Sequence, residues 1–129
     1  MIVMPQTKIL LVDDEVEFAS ALAERLQLRG YNVKTANNAL EALALIHTHV
    51  PDVIILDLKI PGMDGIETLK TIKKIDSTIE VIMLTGHGDV ESVAEGMKSG
   101  VFEYIMKPVD IGELTVKIDN AMKKRTKEQ

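Results

Sequence analysis

At 129 residues the chain has the length of one domain, and a chain of this size buries about two-thirds of the surface its unfolded form exposes. It contains no cysteine, which excludes disulfide frameworks, cysteine-zinc sites and thiol nucleophiles, and which fits a reducing cytoplasm. A net charge of −5 argues against a general nucleic-acid binder, and no apolar run has the length of a membrane span or the form of a signal-peptide core. The expectation is a soluble, cytoplasmic single domain over residues 1–129, with a core of about 7–125 and short tails.

Taken in chain order, the first strand is Ile9–Val12, a continuous apolar run that stops at two adjacent acids, Asp13 and Asp14. Unbroken apolar runs suit a parallel sheet covered on both faces. Phe18, Leu22 and Leu26 then recur every fourth residue, which predicts a helix with one buried stripe, and Gly30 supplies its stop. The second strand, Asn32–Thr35, alternates in polarity and reads as an edge. Asn38 followed by Glu41 resembles a capping box at the start of the second helix. His47 and His49 fall on or after that helix and read as solvated.

The third strand, Val53–Leu56, delivers Asp57 into the loop "DLKIPGMDG", which Pro61, Gly62 and Gly65 punctuate. A third helix follows Asp64 and Gly65. Val81–Leu84 forms the fourth strand and ends in Thr85. His87 comes two residues later, either an ordinary loop residue or one able to influence chemistry at the strand's end. The fourth helix begins near Asp89 and stops at Gly100. Tyr104–Met106 is the fifth strand, followed by Lys107 and Pro108. The fifth helix runs from about Ile111 into the basic end "KKRTK", which complements the helix's negative pole and keeps the tail soluble. With aromatics at 3%, the core falls to aliphatic residues, and Met63, Met83, Met97, Met106 and Met122 serve as filler or groove lining.

Strand then helix, five times over, is a doubly wound α/β layout: a five-stranded parallel sheet with five helices. Ligands in such sheets bind beyond the carboxyl ends of the strands, at the switch point. Those ends carry Asp13 and Asp14, then Asp57, Thr85 and Lys107, so three carboxylates, a hydroxyl and an ammonium share one edge. Two like charges about 5 Å apart repel by roughly 3 kcal/mol at an effective dielectric near 20. Lys107 offsets one acid, and the rest calls for a divalent cation; an all-oxygen, partly hydrated site favours Mg2+, and the lack of histidine argues against zinc. Phosphoryl chemistry accounts for Thr85 and Lys107 as well, because it needs a nucleophile, a magnesium ion and donors for the phosphoryl oxygens. Asp57 is the carboxylate placed to form an aspartyl-phosphate.

The ordered set "LLVDDE", "VIILDLKIPGMDG", "IMLTGHGDV" and "YIMKPVD" resembles the response-regulator receiver domain of two-component signalling over essentially the whole chain. The resemblance implies a flavodoxin-like sheet of order 2-1-3-4-5, with Asp57 as phosphoacceptor and Asp13, Asp14, Asp57 and the backbone carbonyl of Lys59 around Mg2+. It further implies that Thr85 and Lys107 contact phosphoryl oxygens, that Thr85 and Tyr104 form the switch pair, and that the peptide before Pro108 is cis. The implied function is a phosphorylation-dependent signalling switch, not an enzyme beyond its own phosphorylation and dephosphorylation. Its donor is a histidine kinase or histidine phosphotransfer protein. Its output is a separate protein or a missing output domain, reached through helix 4, strand 5 and helix 5, with no direct binding of nucleic acid or membrane. A phosphorylation-linked homodimer through those last elements is compatible with the pattern.

Three other readings stand beside it. A magnesium-dependent phosphatase with an aspartyl nucleophile would want an acid two residues after Asp57, where Lys59 stands. A flavin carrier would want a phosphate-cradling loop after the first strand, where two aspartates stand instead. A degenerate receiver acting as a constitutive interaction module is the third, although every phosphorylation residue is present. Residue by residue, Asp13 doubles as a helix-capping acid, Thr85 as a strand-end hydroxyl, Lys107 as a surface charge and Tyr104 as a half-buried strand aromatic.

Overall fold

The computed structural model describes residues 6–86 and 90–128, so His87 and Asp89 lie outside the described residues. Five strands and five helices alternate: β1 (Lys8–Val12), α1 (Val16–Leu28), β2 (Asn32–Ala36), α2 (Ala39–Thr48), β3 (Val53–Asp57), α3 (Gly65–Ile75), β4 (Glu80–Thr85), α4 (Val90–Ser99), β5 (Glu103–Met106) and α5 (Ile111–Glu128). The strands form one parallel sheet in the order β2-β1-β3-β4-β5. That is the doubly wound, flavodoxin-like arrangement expected from the sequence. Each strand runs one residue further at one or both ends than its apolar run. The parallel ladder takes in polar ends such as Lys8, Glu80 and Thr85, because backbone pairing does not depend on side-chain polarity.

Alternation along each strand divides the core in two. Ile9 and Leu11 of β1 join Val53, Ile55, Ile82, Leu84 and Ile105 beneath α1 and α5, where Leu22, Leu26, Leu114 and Ile118 meet them. Leu10 and Val12 join Ile54, Leu56, Val81 and Met83 on the other face, against Ile46 of α2 and Leu69 and Ile72 of α3. Burying one such aliphatic side chain is worth about 1.5–3 kcal/mol, so the central strands anchor the fold. All five side chains of β3, Asp57 included, are buried.

The helix signals in the sequence act as physical stops and starts. Gly30, Gly62 and Gly100 all have positive φ, and Gly30 and Gly100 end α1 and α4 as expected. The Asn38 side chain accepts the Glu41 N–H at 2.9 Å. The return bond of the box lands one residue early, with Glu41 Oε2 accepting the Asn37 N–H at 2.9 Å. Asp64 caps α3 by accepting the N–H groups of Ile66 and Glu67.

Two expectations are revised. Phe18 does not join Leu22 and Leu26 in full burial; its ring is half-buried against the edge of the core, with Lys107 Nζ 4.6 Å from its centroid. The basic end does more than solubilise a tail. Arg125 is buried, its Nε donating to Asp52 Oδ1 at 3.0 Å and its Nη1 to the Thr78 hydroxyl. Lys124 lies 3.3 Å from Glu80 Oε2, and Lys73 lies 3.4 Å from Glu80 Oε1, so the fully buried Glu80 carries two cationic partners. This network binds the last turns of α5 to the amino ends of β3 and β4, opposite the acidic edge. Among the described residues, no helix is long and apolar enough to cross a membrane.

Candidate functional site

The switch point lies where the chain leaves β1 and β3 in opposite directions along the sheet, and it gathers the acids there. Asp13 follows β1 directly; its N–H donates to the Ala36 carbonyl at 3.0 Å, which extends pairing past the strand's end. Its own carbonyl accepts from Asn37 Nδ2 at 3.1 Å, fixing the backbone of the turn. Asp57 ends β3, and the Leu58 N–H continues the ladder to the Leu84 carbonyl at 3.1 Å. These backbone ties aim Asp13 and Asp57 at one space, and the exposed Asp14 completes it. One carboxylate oxygen from each of Asp13, Asp14 and Asp57 lies within 4.8 Å of the others.

Lys107 enters from the end of β5. Its N–H donates to the Thr85 carbonyl at 2.9 Å, joining the ends of β4 and β5. Its Nζ stands 3.0 Å from Asp57 Oδ2, 3.1 Å from Asp13 Oδ2 and 2.9 Å from Glu15 Oε1. Burial works against that ammonium, but the bonds to Glu15, Asp57 and Asp13 outweigh it, and the lysine's pKa is raised. Burial raises the Asp13 carboxyl, and the Glu15 N–H and Lys107 pull against it. The other oxygen of each buried acid takes a backbone donor, Asp13 Oδ1 from Glu15 and Asp57 Oδ1 from Lys59. Lys107–Pro108 is a cis peptide.

Thr85 is buried at the end of β4, one residue beyond the Asp57–Leu84 pair, so register brings it beside the acids. Lys59 is exposed on the loop after Asp57. Tyr104 points elsewhere: its hydroxyl donates to the Val93 carbonyl of α4 at 2.8 Å, and burial raises its pKa. His47 and His49 are exposed at the end of α2, away from the acids. A cavity of about 270 Å3 lies at the opposite end of β1, lined by Lys8, Lys34, Leu45, His49 and Pro51 among others, and none of Asp13, Asp14, Asp57, Thr85 or Lys107 lines it. The residue that the sequence reading missed is Glu15. Its signal was local, a glutamate at a helix N-cap, where Ser, Thr, Asp or Asn is favoured.

The donor set fits a hard divalent cation. Three carboxylate oxygens converge, and Asp13 Oδ2 is buried, makes no hydrogen bond among the described residues and stands 3.1 Å from the Lys107 ammonium. One ammonium against Asp13, Asp14, Glu15 and Asp57 leaves negative charge uncompensated, as oxygen-ligand sites for magnesium do.

The sequence matches the model of the response regulator receiver domain over residues 9–119. It is 41% identical over 111 residues to sporulation initiation phosphotransferase F of Bacillus subtilis, covering 86% of this chain and 90% of that protein. It is 38% identical over 117 residues to the transcriptional regulatory protein ZraR of Klebsiella oxytoca, covering 91% of this chain but 26% of ZraR. The chain thus spans about a quarter of that regulator's length. Among solved structures, a response regulator receiver domain protein from Clostridium thermocellum superposes with a TM-score of 0.90 at 37% identity, covering 95% of this chain and 99% of that one. NtrX from Brucella abortus superposes with a TM-score of 0.89 at 31% identity, covering 96% of this chain and 29% of NtrX.

Proposed function

This chain belongs to the response regulator receiver domain family, and on that premise we propose that it is a phosphorylation-dependent signalling switch with Asp57 as its phosphoacceptor. One observation carries the reading: the Lys107 ammonium bridges the buried Asp57 and Asp13 carboxylates beside Asp14. A surface ion pair does not require two buried acids, whereas phosphoryl transfer requires a carboxylate, a fixed cation and a place for a metal in one spot.

An oxygen of Asp57 forms the new O–P bond as the bond between phosphorus and the donor breaks. The departing group, an imidazole nitrogen in a phosphohistidine donor, keeps the electron pair. Lys107 holds Asp57 in place and supplies a donor to the developing charge on the phosphoryl oxygens. The Thr85 hydroxyl, at the neighbouring strand end, supplies a second. Asp13, Asp14, Asp57 and the carbonyl of Lys59 are the groups that would hold Mg2+. Bound there, the ion neutralises the acids and the phosphoryl oxygens.

The donor is a histidine kinase or histidine phosphotransfer protein of the cytoplasm, and the whole of residues 1–129 acts as one receiver. Output runs through α4, β5 and α5, where Met97, Met106 and Val116 leave large apolar side chains exposed. Thr85 and Tyr104 are the switch residues of that coupling. The recipient is a separate output protein, an attached output domain or a second copy of the chain.

Intact-mass measurement after incubation with acetyl phosphate and magnesium tests the assignment. The expected result is a gain of one phosphate in the native chain and none in Asp57→Ala. Equal labelling of the two, or no labelling of either, refutes it.

A further inference from the structure

Glu15 sits at the mouth of the acidic site with no part in the roles assigned above. Its carboxylate is 64% exposed, yet Oε1 accepts from Lys107 Nζ at 2.9 Å, the shortest of that ammonium's three contacts. A lysine has three N–H donors and no more. Here three carboxylates surround it, at 2.9, 3.0 and 3.1 Å. Glu15 and Asp57 accept its hydrogen bonds and Asp13 pairs with it at 3.1 Å, so a phosphoryl oxygen entering this crowded side of the ammonium displaces one of the three carboxylates.

Asp13 and Asp57 are poor candidates to give way. Both are buried, and a buried carboxylate deprived of its cation bears a desolvation cost that an exposed one does not. Glu15 is different, because water replaces the lysine at once when its side chain swings out. A second observation frees it locally. Glu15 is the N-cap residue of α1, yet its side chain makes no capping hydrogen bond, so nothing on its own helix holds it where it is. The swung-out carboxylate stays by the helix's positive end, where negative charge is favoured. Lys107 is not set loose either, since the Phe18 ring lies 4.6 Å away and attracts the ammonium as Glu15 departs.

We infer that Glu15 is a positioning residue whose carboxylate occupies Lys107 in the unphosphorylated chain and is the contact exchanged for a phosphoryl oxygen when Asp57 is modified. The inference rests on the phosphoacceptor reading of Asp57. It makes Glu15 a brake on phosphorylation alone, because the contact exists before the transfer and is absent both in the transition state and after it. Removing it raises the starting state and leaves the barrier to phosphate loss unchanged.

The test follows phosphorylation by phosphoramidate with magnesium, then decay of the phosphorylated chain after donor removal, for wild type, Glu15→Ala and Glu15→Asp. Aspartate keeps the charge but shortens the arm by one methylene. The expected result is phosphorylation about two- to fivefold faster in both variants, the scale of one exposed ion pair, with decay at the wild-type rate. Phosphorylation of Glu15→Ala at the wild-type rate overturns the inference. So does a decay rate that changes by the same factor, or acceleration in Glu15→Ala alone, which is the mark of a general charge effect. If the wild-type chain reacts normally, these outcomes touch Glu15 only. A wild-type chain that takes no phosphate overturns the functional reading, and this inference with it.

Discussion

The Tyr104 hydroxyl fills the notch that Gly96 leaves in α4: a Cβ built at Gly96 would overlap that oxygen, which donates instead to the Val93 carbonyl. Tyr104 sits on β5 opposite Met83 and Gly96 on the helix that covers it, so one missing side chain sets where the aromatic ring rests. Glycine in a helix interior costs up to about 1 kcal/mol against alanine, a cost the fold accepts here.

Gly96→Ala should therefore expel the Tyr104 hydroxyl while favouring the helix itself. The chain has two tyrosines and no tryptophan, so a Tyr31→Phe background leaves Tyr104 as the sole phenol to titrate. Burial raises the Tyr104 pKa in the native chain, and expulsion should bring it down toward the ordinary value near about 10. An unchanged titration in Gly96→Ala would mean that the ring keeps its place and the notch is irrelevant to it.

On the proposed function, Lys107 and a divalent cation would neutralise the same acids. Lys107→Met should leave Asp13 and Asp57 without their ammonium and lower stability in chelator by about 2–4 kcal/mol. Magnesium should restore more stability to this variant than to wild type, since a ligand that binds the folded state stabilises in proportion to its affinity. Thermal melts with and without magnesium decide it. A smaller magnesium response in the variant contradicts the shared site.

At the far end of the sheet, Arg125→Met should lose about 2–3 kcal/mol in denaturant melts, because among the described residues Asp52 keeps only the Lys8 N–H and Thr78 loses its guanidinium partner. Adding Asp52→Asn should recover part of that loss, since a pair removed together leaves no orphaned charge. A double variant weaker than Arg125→Met by the full cost of a second lesion would show that the two residues are not coupled.

Asp76 gives stability a dependence on pH. The Thr78 hydroxyl bonds its carboxylate at 2.6 Å and, with the Thr78 N–H, Arg125 and Lys73, outweighs partial burial to lower its pKa. A folded pKa below the unfolded one means the contribution is full above about pH 4 and is lost as pH falls through the folded value. Asp76→Asn should thus cost about 1 kcal/mol near neutrality, and the difference should close in acid. A gap that persists unchanged at pH values below the folded pKa would exclude the carboxylate's charge as its source.

Much of this molecule was legible before folding. Apolar runs, Gly30 and Gly100 as stops, Asn38 as a cap, and acids at strand ends are local or periodic signals, and local physics reads them. From these the sequence by itself determined the strand and helix alternation and the convergence of Asp13, Asp14, Asp57, Thr85 and Lys107 on one edge, since parallel strands place all their carboxyl ends together. Only the tertiary structure decided which partners long side chains choose. Lys107 reaches across 92 positions to Glu15, Arg125 across 73 to Asp52, and Tyr104 finds the gap at Gly96. A flexible charged or aromatic side chain has no periodicity to betray its target; the packed backbone around it sets which opposite charge or empty volume lies within reach.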